Sequence, residues 1–175
     1  MAFRIQKTSF LLIALLTFSP FVCFSAKAQE STYRVLVSKK TGLNLSSVEK
    51  LISLGDKAIE DNDLVKARSE FDKARILTKQ MLGFYRDING SFRGIDARIP
   101  KEMDIKGRKA QALLAKINLR LASLFRKQQQ PEIAVPLLIE VIKLVTPARS
   151  EGQTAYQNLL ELGFVDTPYA AMRNK

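Results

Sequence analysis

The side chains best suited to chemistry in this 175-residue chain are carboxylates and amines. Asp56, Glu60, Asp61 and Asp63 crowd together and could hold a cation. Their spacing is not that of a calcium loop, and capping and solubility are the roles expected of them. Lys109, Lys116, Arg120 and Lys127 recur at intervals of seven, four and seven. At about 100° per residue they share a narrow arc along one helix edge, either a solvated rim or a contact surface for an anion. The chain has no histidine, and its one cysteine, Cys23, sits near the N-terminus. Ser-His and Cys-His nucleophilic pairs, thiolate redox chemistry and the common zinc sites are thereby excluded from the predicted mature chain. Gly83, Gly90 and Gly94 are scattered and follow no strand, so they make no phosphate loop. The residues predict a non-catalytic protein without a cofactor.

The elements that would position these residues are helices. Val48, Leu51, Ile52, Gly55, Ala58 and Ile59 form one amphipathic stripe; Leu64, Ala67, Phe71, Ala74 and Leu77 form a second. Between them lies Asp61-Asn62-Asp63. This predicts a helical hairpin closed through small residues, Gly55 against Ala67 and Ala74. Ser46 and Glu49 suggest a capping box and Asp63 an N-cap. The second helix is expected to end in a left-handed cap at Asn89-Gly90, with a loop from Ser91 to Ile99. Pro100 suits the first turn of a helix reaching Gln128. That helix carries a large apolar face (Ala110, Leu113, Leu114, Ile117, Leu121, Leu124, Phe125) and a smaller one (Ala112, Ala115, Leu119, Ala122), so it should lie between neighbours. Pro131 opens the next helix, Pro136 should bend it and Thr146-Pro147 should end it. Ser150 and Gln153 suggest the cap of a last helix stopping at Gly163, after which the tail is expected to fray.

Leu51, Leu54, Gly55 and Ala58, followed by Asn62-Asp63-Leu64, Ala67, Phe71 and Ala74, resemble one tetratricopeptide repeat. Lys79 stands where that family has a closing proline. A weaker copy follows in Leu121, Ala122, Phe125, Ala134, Leu138 and Val141, while residues 80–113 do not fit the pattern. The resemblance implies an all-α fold: antiparallel hairpins stacked as a short, degenerate tetratricopeptide-like superhelix, with a C-terminal capping helix. It also implies a binding groove lined by first helices, here Ile52, Asp56, Ile59 and Glu60 in one unit and Lys116, Leu119, Ser123, Arg126 and Lys127 in the other. The Lys/Asn clamp by which some family members hold a chaperone's C-terminal carboxylate is not evident.

Arg4 and Lys7 precede the apolar run Phe10–Phe18, and Ala26-Lys27-Ala28 follows. This is the pattern of a signal peptide cleaved after Ala28, and Phe21-Val22 before Cys23 do not suit lipid attachment. Residues 29–45 read as a lead-in, 46–163 as the helical domain and 164–175 as a tail. The expected compartment is a periplasm or thylakoid lumen. The chain carries a net charge of +11, concentrated in residues 86–127, where 11 Lys and Arg face four Asp and Glu. Such a field attracts acidic partners. Export argues against nucleic acid, so the expected partner is a protein or peptide with acidic and apolar groups, bound by a scaffold or assembly factor. The alternative is a peripheral protein whose central basic region meets anionic lipid or an envelope polymer.

Overall fold

Residues 42–169 are described by a computed structural model; the expected signal peptide, most of the lead-in and residues 170–175 lie outside them. Five helices follow one another: α1 (Leu45–Glu60), α2 (Leu64–Phe92), α3 (Arg98–Lys127), α4 (Pro131–Val145) and α5 (Ser150–Glu161). There is no strand among the described residues. Each helix packs chiefly on the next in sequence, while α1 also touches α3 and α3 touches α5. The odd-numbered helices thus adjoin one another, and α3 lies between α2 and α4 as its two apolar faces require. Its Leu114, Ala115, Ile117, Leu121, Ala122, Leu124 and Phe125 are all buried.

The first hairpin closes more tightly than its small residues suggest. Gly55 faces the ring of Phe71, which is nearer than Ala67: a Cβ on Gly55 would lie 2.6 Å from Cδ1 and 2.9 Å from Cζ. Ala67 and Ala74 are fully buried nearby. The missing side chain makes room for an aromatic ring rather than for a second small residue. Gly152 has a comparable role at the start of α5, where a Cβ would fall 2.7 Å from the carbonyl carbon of Thr146.

Several helix ends differ from expectation. Asn44, not Ser46, caps α1: its Oδ1 accepts from the Ser47 amide at 2.8 Å. Asp63 caps α2 as its type predicts, accepting from the Lys66 amide at 2.9 Å. No left-handed cap forms at Asn89-Gly90. Buried Asn89 donates to the Pro100 carbonyl at 3.1 Å and to Asp104 Oδ1 at 2.6 Å, so α2 continues to Phe92 fastened to α3. The left-handed residue is Gly94, at φ 84°. The loop is therefore shorter than expected, and Arg98 opens α3 with its amide donating to Asp96 Oδ1 at 3.0 Å. No side chain caps α5, so the Ser150/Gln153 box is absent; Arg149 occupies the cap. Pro136 sits on the exposed side of an unbroken α4, where its missing N–H removes one bond and the rest of the helix survives. The segment expected to fray is held as far as Tyr169: Tyr156 donates to the Thr167 carbonyl at 2.6 Å and packs edge-on against Tyr169.

Three helix ends share one geometry. After α1, the amides of Asp61, Asn62 and Asp63 donate to the carbonyls of Lys57, Ile59 and Ala58 at 2.9, 3.1 and 2.8 Å. After α3, Gln128, Gln129 and Gln130 donate to Leu124, Arg126 and Phe125 at 3.1, 3.1 and 2.9 Å. After α5, Leu162, Gly163 and Phe164 donate to Asn158, Leu160 and Leu159 at 3.1, 2.9 and 2.9 Å. The central residue is left-handed each time, with φ of 58°, 59° and 69°. The second and third turns are 34 residues apart, the first and second 67. Residues 80–113 hold no further turn of this kind. They are the far half of α2 and the near half of α3, helices of 29 and 30 residues against 15 for α4.

Candidate functional site

Where α1 and α3 run side by side they leave an open groove of about 570 Å³. Glu49, Ile52, Ser53, Asp56, Lys57 and Glu60 come from α1; Leu113, Lys116 and Arg120 come from α3. One wall is mostly acidic and the other basic. They meet in a two-pronged ion pair, with Arg120 Nε donating to Asp56 Oδ1 at 2.6 Å and Nη2 to Oδ2 at 2.8 Å. Exposed Lys116 is also near Glu151 on α5. The carboxyl of Glu151 is held below its ordinary range first by its own backbone amide, then by Ser150, with Lys116 and Arg149 adding to the effect.

Of the nine residues that the resemblance implies, Ile52, Asp56, Glu60 and Lys116 line this groove. Ile52 does so as its floor: it is 8% exposed and belongs to the core. Ile59 and Leu119 are partly buried and pack against the core instead. Ser123 and Lys127 are exposed further along α3, outside the groove lining. Arg126 turns to α5, bonding Asn158 Oδ1 and pairing with Glu161 Oε2 at 3.0 Å. That bond holds the Glu161 carboxyl below its ordinary range. The basic stripe is thus divided: Arg120 binds α1, while Lys109, Lys116 and Lys127 remain exposed.

A second and larger cleft, about 710 Å³, opens between the far halves of α2 and α3. Leu82, Tyr85, Met103 and Leu114 supply its apolar lining, and Arg86, Arg93 and Arg108 its cations. Arg93 Nη2 donates to Asn89 Oδ1 at 3.3 Å, which completes the link from α2 through Asn89 to Asp104. Burial raises the pKa of the Tyr85 phenol, partly offset by Lys106. At the inner end Glu140 of α4 receives Arg75 at 2.6 Å and Lys79 at 2.7 Å. Burial opposes its ionisation, but those two cations outweigh it and hold its pKa down. Arg75 also donates to the fully buried Asn118 at 2.9 Å, so one guanidinium ties α2, α3 and α4 together.

Compared with family models, curated proteins and solved structures, the chain matches none. Among the described residues no group of three His, Cys, Asp or Glu side chains could hold a metal ion, and no helix is long and apolar enough to cross a membrane.

Sequence reading missed the cleft. Its signal was present as the charge surplus of residues 86–127, which holds Arg86, Arg93 and Arg108. Spacing predicts long helices on either side of a loop at Ser91–Ile99, but it does not say that their far halves leave a cleft between them.

Proposed function

We propose that the chain is a non-catalytic, tetratricopeptide-like binding module that takes a protein segment bearing acidic and apolar groups into the α1/α3 groove. The observation that carries this reading is the groove itself: two helices ending in the same three-residue turn, set side by side, with Leu113 and the edge of Ile52 beneath a charged rim. The 34-residue interval between the second and third turns is the tetratricopeptide period, which supports the likeness. An extended segment can lay apolar side chains on the floor and its carboxylates against Lys116, with Arg120 in competition with Asp56. Charges of this kind steer and select more than they add affinity. The Arg4/Lys7, Phe10–Phe18 and Ala26-x-Ala28 pattern supports an exported protein of a periplasm or thylakoid lumen, acting as a scaffold or assembly factor.

Hydrogen exchange of the full chain with a synthetic peptide of alternating Glu and Leu tests the reading. The peptide should protect amides of α1 and α3 around Ser53, Asp56, Leu113 and Lys116. Protection confined to α2 and α4, or none at saturating peptide, contradicts it.

A further inference from the structure

Past the ends of α1 and α4, the far halves of α2 and α3 continue as a two-helix projection. At about 1.5 Å per residue, α2 and α3 are each close to twice the length of their neighbours. The apolar stripe of α2 does not stop where α1 does. Leu77 is partly buried and Met81 is 2% exposed, but at the next positions on the same side Phe84, Ile88 and Phe92 are 48%, 40% and 37% exposed. Ile95 in the loop and Ile105 on α3 add exposed aliphatic groups at the same end. An exposed apolar group of this extent marks a surface that meets something.

The charge of the projection says what. Residues 84–109 hold seven Lys and Arg against four Asp and Glu. All four of those acids are engaged within the projection: Asp87 by Arg86, Asp96 by Arg98, Glu102 by Lys106 and Asp104 by Asn89, which leaves a surplus of three cations. Arg86, Arg93 and Arg108 line the cleft on the side of α4, and Arg86 is two residues from both Phe84 and Ile88, so the projection carries an apolar face and a cationic one. Apolar side chains at a projecting end, with guanidinium groups on its other face, match the chemistry of a bilayer surface: acyl chains, then phosphates.

We propose that the α2–α3 tip docks on an anionic lipid bilayer. Phe84, Ile88, Phe92 and Ile95 enter the headgroup–acyl boundary, and Arg86, Arg93 and Arg108 take lipid phosphates. The tip is distinct from the α1/α3 groove, and neither proposal depends on the other.

The chain has no tryptophan, which makes the tip separately observable. In the full chain, Phe84→Trp reports from the tip and Phe164→Trp, 56% exposed beyond α5, from elsewhere. Vesicles of phosphatidylglycerol with phosphatidylcholine should shift the Phe84→Trp emission to the blue, and brominated lipid should quench it. Pure phosphatidylcholine should do neither, and Phe164→Trp should respond to neither. Replacing Arg86, Arg93 and Arg108 by Gln should weaken the response on the order of ten-fold, as should added salt. If Phe84→Trp misfolds by circular dichroism, Ile88→Trp serves instead. No shift with the anionic vesicles overturns the proposal, as does an equal shift with neutral ones. A shift that grows with protein concentration in the absence of lipid also overturns it, because the stripe then joins copies of the chain.

Discussion

Arg120 of α3 grips Asp56 of α1 through both oxygens of the carboxylate, at 2.6 and 2.8 Å. This pair crosses the candidate groove and neutralises part of each wall. Both side chains are roughly 40% exposed, at 37% and 41%, so solvent screens the pair and its contribution to stability is small. Asp56→Asn should cost about 0–1 kcal/mol in denaturant titration. It also releases Arg120 toward a ligand, so an acidic peptide should bind this variant more tightly than the unaltered chain. Weaker binding, measured by titration calorimetry, would show that Asp56 itself is needed for the ligand.

The Gly55–Phe71 contact yields a paired prediction. Gly55→Ala places a Cβ inside the ring's space and should cost about 1–3 kcal/mol. The second unit has Ala122 and Leu138 at the corresponding positions, a larger residue beside a smaller partner. Phe71→Leu should therefore recover part of the loss when added to Gly55→Ala. Unfolding midpoints of the two single variants and the double variant test this; strict additivity would contradict the contact.

Glu140 couples α4 to α2, and its stabilisation depends on pH. Arg75 and Lys79 hold its folded pKa below the ordinary 4.5 despite its burial. A depressed folded pKa means stability that is present above the unfolded value and lost as pH falls through the folded one. Glu140→Gln should cost about 1–3 kcal/mol at neutral pH. The gap between variant and unaltered chain should close in acid, below 4.5. A gap that persists unchanged in acid would assign the loss to packing instead.

The hairpins were legible in the sequence because their signals are local. The apolar stripes of α1 and α2, the Asp63 cap and the two-faced character of α3 all follow from spacing within one or two turns. The far ends were less legible. Asn89-Gly90 has the composition of a helix stop, yet the Asn89 amide finds partners 11 and 15 residues away, and no local rule contains them. The same limit applies to the groove. Spacing puts Arg120 and Arg126 on α3 but does not say that one turns to Asp56 and the other to α5. Ile52 illustrates the reverse: a position that the tetratricopeptide resemblance makes groove-facing is only 8% exposed and belongs to the core. Ile52→Ala should consequently destabilise the domain, by about 2–4 kcal/mol.

Gly83 and Gly107 lie within long helices, line the α2/α3 cleft and have nothing within 4 Å of a would-be Cβ. Alanine at each should raise stability by about 0.5–1 kcal/mol, since helical glycine carries an entropic cost and these sites have room. Thermal or denaturant unfolding of the single variants checks this. Destabilisation by either substitution would mean that the cleft is occupied or closed in solution.

The groove reading is tested most directly by the rate at which an acidic, leucine-bearing peptide associates with the full chain at low and high salt. Lys116→Glu reverses an exposed charge on the rim and leaves the core untouched. The variant should associate more slowly than the unaltered chain at low salt, its rate should depend less steeply on salt, and its circular dichroism should be unchanged. Equal association rates for the two proteins at both salt concentrations would contradict the assignment of the α1/α3 groove as the binding site.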